Sequence, residues 1–149
     1  GNYEELECKV DAVSVRRDTT HTEIKRIESR SAELTLVMKH AETYRQLKPI
    51  YDRYRKSNDK EKFLRGHESE IILFEAAARE LKRLGAVPLP TTESMKTELA
   101  NLSAEKEHLL AEYKTARTEA QEYDTVKQNV DALLAVPKEQ EQQRRHELE

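Results

Sequence analysis

Tryptophan is absent from this 149-residue chain, and five other residue types are scarce: one Cys, two Met, two Phe, three Gly and four Pro. Each shortage removes a class of protein. The single cysteine, Cys8, excludes an internal disulfide and any multi-cysteine zinc site, and it fits a reducing cytoplasm. Three glycines are too few for a glycine-rich phosphate loop or the tight turns of a substrate pocket, and no nucleophile elbow is present. No enzyme active site is therefore expected within the chain, and no cofactor. No run approaches the roughly 18 apolar residues that a membrane-spanning helix needs, so no membrane insertion is expected, and no signal-peptide pattern opens the sequence. The net charge of −3 is too small to point to nucleic acid at the level of the whole chain. Gly1 stands where an initiator Met would, and the chain ends in charge, "KEQEQQRRHELE"; it reads as an excised piece of a larger protein with a tag scar at its front.

What remains is 37% charged and 36% hydrophobic residues. That mixture suits long amphipathic helices, which bury a narrow apolar seam rather than a thick core. The spacing agrees. Residues three and four apart run Leu6, Val10, Val13, Arg17, Thr20, Ile24, Ile27, Ser31, Leu34, Met38 and Ala41 along a first helix. A second seam runs Leu64, His67, Ile71, Phe74, Ala78 and Leu81, with Gly66 inside it at a cost of about 1 kcal/mol relative to Ala. The third is Met95, Leu99, Leu102, Lys106, Leu109, Tyr113, Ala116, Ala120, Tyr123, Lys127, Val130 and Leu134. Its two lysines can lay their stems along the seam and keep the ammonium in water.

The breaks follow from glycine and proline. In "LGAVPLPTTESMKTEL" (84–99), Gly85 can take the left-handed conformation that closes a helix, while Pro88 and Pro90 forbid continuation. Thr91 or Thr92 can cap the next helix, with Glu93 near its positive end. "SND" (57–59) is a second opening cluster. Pro49 lies within continuous helical spacing and predicts a kink rather than a stop; Pro137 predicts the end of the third helix. The expected fold is all-α: a single elongated antiparallel helical bundle or coiled coil over 1–136, with helices near 2–56, 59–84 and 92–136. A charged, frayed or disordered tail is expected over 137–149.

Few residues carry candidate chemistry. Glu105 and His108 form one E-x-x-H pair, but a carboxylate-bridged dimetal bundle needs two such pairs and two further glutamates, so no metal is expected. His21-Thr22-Glu23 matches the H-x-E of zinc deaminases without the P-C-x-x-C that the chemistry requires. His67 falls on the second seam and reads as a boundary histidine. The stretch "YRQLKPIYDRYRKSNDKEKFLR" is different. Between Arg45 and Arg65 it has eight basic residues against three acidic, a net of +5, with Tyr44, Tyr51 and Tyr54 in or beside it. Cations interleaved with aromatics can track a phosphate backbone and stack bases. Arg53, Arg55, Lys56, Lys60, Lys62, Tyr51 and Tyr54 are thus candidate DNA contacts. The alternative is that the tyrosines pack inward while the charges solvate an outer face.

Two segments, "LKPIYDRYRKSNDKEKFLRGHESEIILFEAAARELKRLG" and "ELANLSAEKEHLLAEYKTARTEAQEYDTVKQNVDALL", resemble the C-terminal region of relaxases, the mobilisation nucleases of conjugative and mobilisable elements of Gram-positive bacteria. The resemblance covers about 42–134. In that family the nuclease domain carries a tyrosine nucleophile and a histidine-held metal; here the histidines are single, and no catalytic residue carries over. The resemblance implies a non-catalytic, cytoplasmic helical region downstream of the nuclease, acting as a protein-interaction or scaffold module in plasmid or transposon mobilisation. The candidate partners it implies are proteins of the DNA-transfer machinery, single-stranded DNA and a second copy in a homodimer. The alternatives are an accessory DNA-binding arm built on 45–65, or a plain coiled-coil spacer.

Overall fold

The computed structural model describes residues 1–147, with side chains described through residue 135. It is an all-α helical bundle of three helices: α1 (Asn2–Lys56), α2 (Lys60–Arg83) and α3 (Thr92–Glu147). No strand occurs among the described residues. The boundaries of α1 and α2 fall within a residue of those expected. α3 does not stop at Pro137 but runs to Glu147. An interior proline removes one backbone hydrogen bond and costs about 3 kcal/mol, but the residues after it are almost all strong helix formers. Of the expected tail, residues 148 and 149 lie outside the described residues, as do all its side chains.

The backbone contacts divide the chain into two compact units, Gly1–Lys25 with Lys106–Glu149, and Arg26–Glu105. In the first, α1 and α3 run antiparallel. Tyr3 donates its hydroxyl to Asp131 at 3.0 Å, Lys127 lies 3.7 Å from Glu7, and Arg16 pairs with Glu119. Val13, Ala116 and Ala120 form the buried contact, with Tyr123 packed against it. Thr20, a polar seam position, is buried and satisfied: its hydroxyl donates to the Arg16 carbonyl at 2.8 Å.

In the second unit α2 supplies a third wall, and the core is larger: Ile27, Leu34, Val37, Ala41, Ile71, Phe74, Ala77, Leu81, Met95 and Leu102 are buried. Most are the seam positions. The structure uses Ala77 where the spacing suggested Ala78, which is half-buried; the two differ by one step around the helix. Arg30 grips Glu98 through Nε and Nη2 at 2.8 and 3.2 Å, fixing α1 against α3.

The α2–α3 connection obeys its glycine. Gly85 has φ +71°, and the Ala86 and Gly85 amides donate to the carbonyls of Leu81 and Lys82 at 2.9 and 3.1 Å. This is a Schellman closure, completed by burial of Ala86 at the core's edge. Thr91 opens α3, its Oγ1 accepting the Ser94 amide at 3.1 Å, and Asp59 opens α2, its carboxylate accepting the Lys62 amide at 3.1 Å. α1 passes through Pro49 as one helix. The departure from helical dihedrals lies in α2, at His67 (φ −137°, ψ 24°), beside Gly66.

Candidate functional site

The residues singled out by the basic stretch separate by chemistry. Arg53, Arg55, Lys56, Lys60 and Lys62 are exposed at the corner where α1 ends and α2 begins. Tyr51 and Tyr54 are half-buried and belong to a chain of rings. Phe74, buried on α2, is stacked by Tyr44 at 4.7 Å and Tyr51 at 4.3 Å between centroids; Tyr54 lies 6.1 Å from both Tyr51 and Phe63, and Phe63 stacks on His67 at 4.6 Å. These rings line the contact between α1 and α2 on the side of the short Ser57–Asp59 turn. Tyrosine rings occupied in this way contribute packing.

The exposed cations have structural work as well. Arg53, Arg55 and Lys56 sit in the last turn of α1, where positive charge complements the carbonyl end of the helix. The Arg53 guanidinium also lies 5.6 Å from the Phe63 centroid. Nearby acids are partly engaged: Asp52 accepts from Lys48 at 3.1 Å, and Asp59 caps α2. The corner is therefore strongly positive.

Beside it lies a notch of about 300 Å³ lined by Arg53, Ser57, Asp59, Lys62, Phe63, Gly66 and His67. A Cβ added at Gly66 would meet nothing within 4 Å. His67 Nδ1 is buried without a hydrogen bond, although Glu70 Oε2 lies 3.4 Å away.

A second surface lies on α2. Ile72 and Leu73 are adjacent and each 54% exposed, facing away from the buried Ile71, Phe74, Ala77 and Leu81. Both lie off the three-and-four spacing of the second seam. The signal was present: "EIILFEAAA" holds four consecutive large apolar residues, more than one face of a helix can hide.

The other candidates are dispersed. Glu105 pairs with Arg26 at 3.5 Å and His108 with Glu112 at 3.1 Å, so the E-x-x-H pair does not converge. The His21 ring lies 5.7 Å from that of Tyr113, and His146 lies beyond the described side chains. Cys8 is exposed. Among the described residues no three His, Cys, Asp or Glu side chains gather as a metal set, and no helix is long and apolar enough to cross a membrane. No protein-family model, curated protein or solved structure matches the chain.

Proposed function

We propose that this chain is a non-catalytic helical interaction module, which docks a protein partner through the outer face of α2. Its context is the one the relaxase resemblance implies: a cytoplasmic region downstream of the nuclease, serving plasmid or transposon mobilisation. The observation that carries the reading is the Ile72–Leu73 pair. Single exposed apolar residues are ordinary on protein surfaces. Two adjacent large ones, each more than half exposed on a helix whose opposite face is already buried, leave apolar area that a partner would remove from water. The test is interferometry of the immobilised chain against purified transfer proteins of a mobilisable element: a relaxase nuclease domain, the coupling ATPase, and the chain itself. The wild type is expected to bind at least one of them, and Ile72→Asp with Leu73→Asp to abolish that binding at unchanged helicity. Equal binding by the double variant removes α2 as the docking face.

A second reading, an accessory DNA-binding arm, is favoured by one specific observation, the five exposed cations at the α1–α2 corner. With Tyr51 and Tyr54 packed into the ring chain, that arm would act through charge and not through base stacking. Its signature is an affinity that falls steeply with salt.

A further inference from the structure

The basic corner holds a shaped feature that its charge alone does not require. Six exposed cations, Arg53, Arg55, Lys56, Lys60, Lys62 and Arg65, lie within thirteen residues, but only Arg53 and Lys62 line the notch. They approach it from different helices, Arg53 from the last turn of α1 and Lys62 from the first turn of α2. Phe63 and His67, stacked at 4.6 Å, wall one side. Gly66 leaves the space above its Cα empty, and the non-helical dihedrals of the next residue, His67, bend α2 there. Glycine costs about 1 kcal/mol in a helix interior. Its φ is not left-handed and a Cβ there would meet nothing within 4 Å, so neither backbone strain nor crowding within the chain requires a glycine at this point of the lining.

We propose that this notch binds a phosphoryl group, held between the Arg53 guanidinium and the Lys62 ammonium over Gly66. Arginine offers a planar fork suited to two phosphate oxygens, and lysine adds a compact charge from the facing side. The other four cations are exposed within the same thirteen residues and favour a ligand with several phosphates over a single ion. Asp59 is the one anion in the lining; its carboxylate accepts the Lys62 amide and keeps its charge, which opposes an anionic ligand there. The rings are occupied with one another, so the site has no free aromatic face for a base. The phosphates can come from single-stranded nucleic acid or from free inorganic polyphosphate. The first source deepens the DNA-arm reading and rests on it; the notch itself does not.

The test is an anisotropy titration of the full chain with fluorescein-labelled oligothymidylate, paired with calorimetry using inorganic tripolyphosphate. Binding is expected to weaken with salt, and to fall about tenfold in Arg53→Gln and in Gly66→Leu, the latter without any change of charge. Asp59→Asn preserves the helix cap and removes the only negative lining group, so it is expected to tighten binding. Arg55→Gln, which removes the same charge outside the notch, is expected to shift affinity by less than about threefold. Wild-type affinity in Gly66→Leu, or equal losses in Arg53→Gln and Arg55→Gln, would show charge spread over the whole corner and overturn the notch. Tripolyphosphate binding with this variant pattern, and no oligonucleotide binding, keeps the notch and removes the DNA arm. Binding of neither probe overturns both.

Discussion

Replacing Phe74 by Ala tests whether the aromatic residues of the basic stretch are structural. Phe74 is 5% exposed, and its ring is stacked by Tyr44 and Tyr51 at 4.7 and 4.3 Å. Truncating a buried Phe costs about 3–5 kcal/mol, from lost transfer energy and the cavity left behind. Two stacked partners place this site at the upper end, since each aromatic pair adds about 0.5–1.5 kcal/mol beyond area burial. With a urea m-value of about 2 kcal/mol/M, the midpoint should fall by roughly 2 M. Far-UV circular dichroism follows the helices. The near-UV tyrosine signal should also weaken under native conditions, because three of the six tyrosines stand in or next to this stack. Tyr51→Phe, which keeps the ring, should melt near the wild type. A Phe74→Ala midpoint within about 0.5 M of wild type would refute the assignment, because it corresponds to only about 1 kcal/mol.

Two glycines should respond oppositely to the same substitution. Gly66→Ala is expected to stabilise the chain by about 0.5–1 kcal/mol, since the added Cβ meets nothing, while Gly85→Ala is expected to cost about 1–2 kcal/mol for a left-handed φ of +71°; urea melts of the pair check the sign. Arg30→Gln should cost about 1 kcal/mol, the upper end for a half-exposed ion pair, because the Glu98 contact is bidentate, and a double-mutant cycle with Glu98→Gln measures it. Hydrogen bonding from Arg83 holds the Glu80 carboxyl below its ordinary range. Such a group contributes stability above its unfolded-state pKa and loses it as pH falls through the lowered folded value. Arg83→Gln should therefore be less stable than wild type at neutral pH and equal to it in acid, where both carboxyls are protonated; a difference that persists in acid would contradict this.

Much of the fold could be read from local chemistry, because the signals were local. Gly85 with Pro88 and Pro90 forced a stop, Thr91 and Asp59 supplied caps, and the three-and-four spacing named Ile27, Leu34, Ile71, Phe74, Met95 and Leu102, which are buried, but also Leu134, which is 63% exposed. Register is not local. Nothing in the sequence sets Tyr3 opposite Asp131, or Arg30 opposite Glu98, because many registers bury the same seams. Pro137 does not end α3, because strong helix formers after it carry the helix onward, and the spacing gave no sign of the non-helical dihedrals at His67 beside Gly66; at Pro49 the helix continues, as expected. At the candidate surfaces the five cations were legible as charge. The ring contacts of Tyr51 with Phe74 and of Tyr54 with Tyr51 and Phe63 join positions that the helical spacing alone does not bring together. The run of four large apolar residues at 71–74 signals that one helix face cannot hide them all; which two stay exposed, Ile72 and Leu73, follows from the buried face of α2.

The most direct measurement of the docking claim is the affinity of the chain for the relaxase nuclease domain, the coupling ATPase and itself, compared with that of the Ile72→Asp/Leu73→Asp variant. The account predicts saturable binding to one of the three, lost in the variant while the helical signal and melting midpoint stay at wild-type values. Binding to none of the three, or equal binding by a folded variant, would contradict it.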